Sequence, residues 1–261
     1  MEKIRKNKKV IAVFLIPAVL IYLCFELIPV VMSVFFSFYD LPGLQAVPLK
    51  FVGFKNYSNL FHNAVFLKSL QNVLIYVVVS VILQVPIGFG LGLLIHHFKK
   101  GQRFFKAAFF IPMILSVTAV ALLWNFIYFP TDKGILNSLL IKIGLGNYIQ
   151  QWLVNPKTSL ICLIVVSTWT SVGYYMIICL AGLTSIPDSV LEAGELDGAT
   201  GWKKIWNLYI PMLWEPLKMS TIMVITGVLK IFDTVYILTP TGGTSNCTIV
   251  PALLMYNEAY R

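Results

Sequence analysis

The chain has 261 residues, of which 58% are hydrophobic and 12% are charged. Soluble globular domains usually carry about 25% charged residues, so this composition excludes an ordinary soluble domain and indicates that lipid surrounds most of the chain. The formal net charge is +9, yet Lys and Arg stand in short runs beside long apolar stretches rather than on one solvated face. That placement argues against a nucleic-acid partner.

Five stretches are long and apolar enough to cross a bilayer, since a spanning helix needs about 20 predominantly apolar residues. In chain order they are Val10–Phe38, Leu70–Ile95, Phe104–Tyr128, Leu160–Leu183 and Leu217–Thr239. In lipid their backbone groups must pair internally, which favours α-helix. We therefore predict an all-α polytopic transmembrane helix bundle, with a basic N-terminus at residues 1–9 and one membrane domain over residues 10–261.

The distribution of Lys and Arg predicts the orientation of the bundle, because short cytoplasmic loops carry an excess of both. Residues 1–9 are strongly basic. The second connection contains Lys99 and Lys100, and the fourth contains Lys203 and Lys204. We therefore expect the N-terminus and the even-numbered connections to be cytoplasmic.

The connection between the fourth and fifth predicted helices carries the most informative pattern. Pro187 and Asp188 suit the first turn of a helix, where proline needs no N–H partner and a carboxylate favours the positive end of the dipole. Asp188, Glu192 and Glu195 recur at i, i+4 and i+7, so they share one helical face. Gly198 can end this helix or let another backbone come close.

The order of residues in this connection resembles the cytoplasmic loop of permease subunits of binding-protein-dependent ABC importers. That loop reads E-A-A-x-x-x-G, with I-x-L-P about ten residues on, and the sugar-type branch adds an upstream I-P and a D-G-A. The matching positions here are Ile186, Pro187, Glu192, Ala193, Gly194, Asp197, Gly198, Ala199, Leu208, Ile210 and Pro211. Gly194 replaces the second alanine and Ile205 stands where phenylalanine is usual, but the spacing is kept.

The resemblance extends over nearly the whole chain. Val52–Tyr57 is similar to the family's V-G-x-x-N-Y before the second helix, and Gly134–Asn137 to its G-x-x-N after the third. Leu229–Asp233 and Leu238–Gly243 resemble its L-K-x-F-D and L-T-x-G-G endings. The resemblance implies the ABC type I importer permease fold and a location in a bacterial inner membrane.

The resemblance also implies partners. The chain would pair with a second, homologous permease, bind two ATP-binding subunits, and receive a sugar or related polyol from an external solute-binding protein, with membrane lipid around it. No cofactor is expected, since the chain has no G-x-x-x-x-G-K-[ST] motif and ATP would be bound by partner subunits.

The coupling segment, residues 186–212, would contact the ATP-binding subunits. By resemblance its contact residues are Glu192, Ala193, Gly194, Asp197, Gly198, Ala199 and Pro211. Leu191 and Leu196 are expected to add apolar contacts to the same partner.

By the same resemblance, solute contacts come from the middle of the fourth and fifth helices. The predicted path residues are Ser167, Thr170, Ser171, Tyr174, Gly227, Val228 and Ile231. The first four recur at helical spacing and form one polar stripe, which should face the pore or the partner permease.

Besides Lys106 and Lys218 near the starts of two predicted membrane helices, three charged residues fall further inside such helices. Glu26 lies deep in the first, where a charge costs about 2.5–3.5 kcal/mol on insertion scales. It is either a transport residue or a group that is neutral or paired within the bundle. Lys230 and Asp233 stand three apart in the fifth helix, so they are expected to be neighbours on one face and to form a structural ion pair.

The C-terminal residues raise an expectation about helix number. Permeases of this family have six core helices, and the last follows a Y-x-x-A-[FY] element that Tyr256–Tyr260 matches. Because the chain stops at Arg261, we expect five spanning helices, a missing sixth helix and an external C-terminus.

Two other functions stay open from the sequence. A membrane-embedded lipid or polyprenyl transferase would need metal ligands, which Asp188, Glu192, Glu195 and Asp197 could supply in principle. A channel would need no ATPase partner. Metal dependence of a purified activity and co-purification of a nucleotide-binding subunit would separate these functions from that of an importer.

Overall fold

A computed structural model of the protein describes residues 8–40, 49–98 and 101–260. Residues 1–7 of the basic N-terminus, and Lys99 and Lys100 of the second connection, lie outside the described residues. The chain divides into two compact units, Met1–Ala64 and Val65–Arg261. Each unit is described by itself.

The first unit is a long apolar helix followed by a small hairpin and a short helix. Its elements are α1 Lys8–Tyr22, a π-helical turn Leu23–Leu27, α2 Ile28–Phe36, β1 Tyr39–Asp40, β2 Lys50–Phe51 and α3 Lys55–His62. The strands pair antiparallel, with Tyr39 opposite Phe51. The apolar run Ala12–Phe36 is long enough to span a membrane, in agreement with the first predicted span.

Asn56 and Tyr57, the last two residues of the V-G-x-x-N-Y pattern, fasten α3 to the end of α2. The Asn56 Nδ2 donates to the carbonyl oxygens of Ser37 and Tyr39, each at 2.9 Å. The Tyr57 hydroxyl lies 2.7 Å from the Ser37 Oγ. This part of the resemblance is therefore explained by local hydrogen bonding.

The second unit is a helical bundle. Its helices are α4 Ala64–His97, α5 Gln102–Ile114, α6 Val117–Ile127, α7 Ile135–Lys142, α8 Ser159–Thr184, α9 Asp188–Leu196, α10 Trp202–Lys204, α11 Ile210–Met212, α12 Trp214–Leu229, α13 Asp233–Leu238 and α14 Pro251–Tyr260. A π-helical turn, Ile205–Tyr209, joins α10 to α11, and short 3-10 turns lie at Gly146–Tyr148 and Thr244–Asn246.

Three helices of the described chain are long and apolar enough to cross a membrane, or up to five if each of two bent pairs is one span. The second and fourth predicted spans correspond to α4 and α8. The third prediction, Phe104–Tyr128, is wrong as a single straight helix, because α5 and α6 meet at a 99° bend. Pro112 lies near the end of α5, and Ser116 caps α6 by accepting from the Ala119 N–H at 3.3 Å.

The fifth predicted span, Leu217–Thr239, is also interrupted. The α12 helix starts earlier, at Trp214, and ends at Leu229, while α13 begins only at Asp233. At its other end α12 meets the segment Trp202–Met212 at a 73° bend. The sequence predicted the apolar content of this region but not its breaks.

The α8 helix forms the centre of the second unit, and its buried side chains include Leu163, Ile164 and Met176. It lies so close to α5 that a Cβ at Gly173 would overlap the carbonyl oxygen of Phe109. Glycine at this position therefore permits direct backbone contact between the two helices. Such contact fixes the distance between α5 and α8, which frame the site described below.

Two buried asparagines organise the end of the bundle where α4 and α8 begin. The Asn72 Nδ2 donates to the carbonyls of Asn246 and Ile249 at 3.0 and 2.9 Å. Asn137, from the G-x-x-N pattern, donates to three loop carbonyls and accepts from the Trp152 Nε1 at 2.8 Å. Each asparagine thus satisfies backbone groups that the irregular loops leave unpaired.

Candidate functional site

The central helix of the coupling segment is α9, and its C-terminal end is defined by Gly198. This glycine has a φ of +81°. The Gly198 N–H donates to the Glu195 carbonyl at 3.0 Å, and the Ala199 N–H donates to the Gly194 carbonyl at 2.8 Å. This hydrogen-bond pair is the Schellman motif, which favours glycine at the left-handed position. The prediction that Gly198 ends the helix is confirmed.

One face of α9 packs onto the bundle. Val190 and Leu191 contact a buried cluster of Leu183, Ile186 and Leu213. Leu191 is therefore partly buried against the protein's own core, and its contact with a partner stays a prediction. The packing ties α9 to the ends of α8 and α12, so a force on α9 reaches the membrane helices directly.

The chain after α9 folds back and contacts this helix. A Cβ at Gly194 would lie 3.3 Å from the Leu208 Cδ2, so the two halves of the resembling pattern are in contact. Of the other predicted coupling residues, Ala193 and Asp197 are exposed, Ala199 is half-buried, and Pro211 lies exposed in α11.

The opposite face of α9 is open. Glu192 is exposed and, within the described residues, makes no ion pair. Glu195 differs, because its Oε1 lies 2.6 Å from the Lys204 Nζ, so the expected acidic ridge is partly neutralised within the chain. Leu196, at the end of the helix, is 89% exposed. The open face therefore presents a free carboxylate and an exposed leucine side chain.

A second site is a cavity of about 240 Å³ inside the bundle. Six of the seven predicted path residues line it: Ser167, Thr170, Ser171, Gly227, Val228 and Ile231. The exception is Tyr174, whose hydroxyl points to the Met223 Sδ at 3.8 Å. Tyr175, which was not predicted, lines the cavity instead.

The two breaks in the membrane helices open onto this cavity. Leu115 stands at the break between α5 and α6, and Ile231 stands between α12 and α13; both line the cavity. Irregular backbone at membrane depth is tolerated where it is buried in protein or lines a cavity. The breaks and the cavity are therefore one structural feature.

Besides Tyr175, two polar residues that the sequence did not predict as path residues line the cavity. Gln84, on α4, is only 2% exposed, and Thr234 lies in α13 just after the break. A signal for Gln84 was available: Asn72, Tyr76, Ser80 and Gln84 recur every four residues in an otherwise apolar helix. Polar residues in a membrane helix usually face the bundle interior.

None of the three intramembrane charges is among the described residues that line the cavity. Glu26 is in the π-helical turn Leu23–Leu27 of the first unit and is exposed there. Lys230 and Asp233 are separated by the break between α12 and α13, so the expectation that they share one helical face is wrong. Within the described residues no ion pair joins them.

Comparison with known proteins decides the family. Residues 84–260 match the sequence model of the binding-protein-dependent transport system inner membrane component. The chain belongs to this family. It is therefore the permease subunit of a binding-protein-dependent importer and a multi-pass membrane protein. The matched region contains both the cavity and the coupling segment.

Individual relatives agree with this assignment. The permease is 36% identical over 260 residues to the probable ABC transporter permease protein YurN of Bacillus subtilis, covering 98% of this chain and 87% of the relative. It is 33% identical to the lactose transport system permease protein LacF of Rhizobium radiobacter, with 95% and 82% covered. Permeases of this family are not enzymes themselves, so a transferase is excluded.

A solved structure has the same fold. It is a bacterial ABC transporter involved in the import of the acidic polysaccharide alginate, and it matches with a TM-score of 0.82 at 23% identity, covering 99% of the permease and 86% of that chain. The predicted importer-permease fold is confirmed.

Proposed function

We propose that this permease carries a sugar or related polyol through the membrane, in a complex with a second homologous permease and two ATP-binding subunits. The observation that carries the proposal is the hydroxyl-lined cavity at the two helix breaks. A solute that crosses the bundle must pass a site whose polar groups replace its water, and such sites in transporters are typically built from discontinuous helices.

The names of relatives support a sugar as the solute. Besides the lactose permease protein, they include an arabinooligosaccharides transport system permease protein of Bacillus subtilis, 29% identical over 252 residues. A second related crystal structure is described as an alginate transporter in complex with an alginate-bound periplasmic protein, with a TM-score of 0.74. We accordingly include an external solute-binding protein as the donor of the solute.

In this proposal the ATP-binding subunits dock on the open face of α9, with Glu192 facing a basic residue there. Ala193, Gly194, Asp197, Gly198, Ala199 and Pro211 shape the same contact. The other face of α9 is packed on the ends of α8 and α12, so closure of the ATP-bound subunits would tilt those helices as rigid bodies. The cavity between them would then face one side of the membrane and afterwards the other.

The proposed orientation puts the N-terminus and the coupling segment in the cytoplasm. ATP is bound by the partner subunits, and the permease contributes no cofactor of its own. Glu26 remains a candidate contact for the second permease, because an exposed carboxylate on a membrane helix is costly unless protein covers it.

The test is solute accumulation by the complete complex in proteoliposomes with its binding protein. A panel of radiolabelled neutral sugars, polyols and amino acids is supplied, with ATP inside the vesicles to energise the cytoplasmic face. The proposal expects ATP-dependent accumulation of a sugar or polyol. Accumulation of an amino acid alone, or uptake of sugar without ATP, would contradict it.

A further inference from the structure

We propose that the cavity of this permease binds an uncharged, hydroxyl-bearing solute. We further propose that Gln84 is the principal residue that forms hydrogen bonds with this solute. The inference rests on the proposed function, because it concerns the same cavity. The proposed function names only a sugar or related polyol, whereas the inference says that neutral sugars and polyols are carried in preference to acidic sugars and phosphate esters.

The first observation is the state of the Gln84 amide. Its side chain is almost completely buried, lines the cavity, and makes no hydrogen bond to any described residue. A glutamine amide offers two N–H donors and one carbonyl acceptor. Buried polar groups are nearly always satisfied by protein, water or ligand, so the Gln84 amide is available to a molecule that occupies the cavity, either water or solute.

The second observation is the chemistry of the wall formed by α8. The Thr170 hydroxyl donates to the Val166 carbonyl at 2.8 Å, and the Ser167 hydroxyl donates to the Ile164 carbonyl at 3.0 Å. Because their protons are used within the helix, these two side chains present oxygen lone pairs to the cavity. A solute that binds there can donate to them with its own hydroxyl groups, which sugars and polyols carry.

The third observation is charge. No Asp, Glu, Lys, Arg or His is among the described residues that line the cavity. An anion placed there would lose its hydration without gaining a cation, which is unfavourable in a buried site. The volume of about 240 Å³ lies below the usual range of about 300–1,000 Å³ for ligand pockets, so a small solute or a single unit of a longer one fits best.

The experiment uses the complete complex with its binding protein in proteoliposomes and compares matched pairs of labelled solutes: glucose with glucuronate, galactose with galacturonate, and glycerol with glycerol 3-phosphate. Wild type should accumulate at least one neutral member, with its acidic counterpart about tenfold lower or less. Preferential accumulation of an acidic member would overturn the inference while leaving an importer in place.

The residue assignment is tested with the neutral solute that wild type accumulates. Gln84→Leu, which keeps the size and removes the amide, should lower import per ATP hydrolysed about tenfold, equivalent to about 1.4 kcal/mol. ATP hydrolysis stimulated by the loaded binding protein should persist, since Gln84 is not one of the residues 186–212 that are proposed to contact the ATP-binding subunits. Gln84→Asn, which keeps an amide on a shorter side chain, should give an intermediate import ratio.

The matched control is Gln71→Leu, the same change on the same helix at an exposed position, where the import ratio should equal that of wild type. A wild-type import ratio in both Gln84 variants would overturn the role of Gln84 alone. A wild-type complex that accumulates no sugar or polyol would overturn the proposed function and this inference together.

Discussion

The residues of the coupling segment are close together in sequence, whereas those of the cavity are far apart in sequence. The coupling segment is contiguous, and its contacts join neighbours such as Gly194 and Leu208. The cavity is assembled from helices as distant as Gln84 on α4 and Thr234 on α13. One region is therefore defined by local sequence, whereas the other exists only when the bundle is packed.

Under the proposed function, this difference separates two tasks. The face of α9 that we propose as the docking surface can change without altering the cavity, and the cavity lining can change without altering α9. The two regions communicate through the shared ends of α8 and α12, where Leu183 and Leu213 pack under α9. Substitutions should accordingly affect one task, the other, or the packing that serves both.

The largest effect is expected from Gly173→Val, which disrupts the backbone contact between α5 and α8. The added Cβ would overlap the Phe109 carbonyl, and backbone cannot yield as a side chain can. We expect the free energy of unfolding to fall by about 3 kcal/mol or more, at or above the upper end for overpacked cores. Stimulated ATP hydrolysis and import should both be lost as well. Thermal unfolding of the purified complex measures the change in stability.

The control for this variant is Gly90→Ala, because a Cβ at that position meets no atom within 4 Å. It should unfold at the wild-type temperature or slightly above. Equal stability of Gly173→Val and Gly90→Ala would mean that α5 and α8 are not in direct backbone contact.

The next largest effect is expected from Glu192→Ala, which should weaken docking of the ATP-binding subunits without changing the cavity. Truncating one member of a buried charged pair typically costs about 2–5 kcal/mol, so recovery of the ATP-binding subunits with the permease should fall more than tenfold. The cavity should be untouched, since Glu192 is exposed on the far side of α9. Co-purification with tagged permease gives the measurement.

Glu215→Ala is the matched control for Glu192→Ala, since Glu215 is also an exposed carboxylate but lies at the start of α12, paired with Lys218. Subunit recovery should be that of wild type. Full recovery of the ATP-binding subunits with Glu192→Ala would show that this carboxylate is not at the docking contact.

The smallest effect is expected from Lys204→Met, which removes the ion pair with Glu195. The Lys204 side chain is 17% exposed and that of Glu195 is 56% exposed. Solvent-accessible pairs contribute about 0.2–1 kcal/mol, so the unfolding temperature should fall slightly. Subunit recovery should stay at or above the wild-type level, because the change frees a second carboxylate on the open face of α9. A loss as large as that of Glu192→Ala would indicate that Lys204 itself contacts the partner.

The coupling segment and the cavity also differ in how much of each could be predicted from the sequence. The coupling helix was predicted from Pro187, Glu192 and Gly198, because helix start, face and end are encoded by neighbouring residues. Six path residues were also predicted correctly as a group in space, since helical spacing puts Ser167, Thr170 and Ser171 on one stripe. Their role in transport stays a prediction.

The helix breaks and the role of Gln84 were not predicted. Apolar content alone makes Phe104–Tyr128 and Leu217–Thr239 look like continuous spans, although Ser116 is a good N-cap residue. The packing of Leu191 against Leu183 and Leu213 was not predicted either, because those two residues come from different parts of the bundle. These features depend on tertiary packing, which spacing within one segment cannot supply.

The central claim is that the cavity at the two breaks is the solute path, and thiol labelling of a Ser171→Cys variant in the complete complex tests it most directly. The exposed Cys24 is first replaced by serine, leaving three buried native cysteines. Ile222→Cys on the outer surface of α12 is the comparison, since the native side chain is 56% exposed and should face lipid.

The measurement is the rate at which a membrane-impermeant thiol reagent modifies each variant in each nucleotide state. The account predicts that the thiol introduced at position 171 is labelled in one nucleotide state, that the transported solute protects it, and that the thiol introduced at position 222 stays unlabelled. Failure to label the Ser171→Cys variant in every nucleotide state, or labelling that the solute does not slow, would contradict the account.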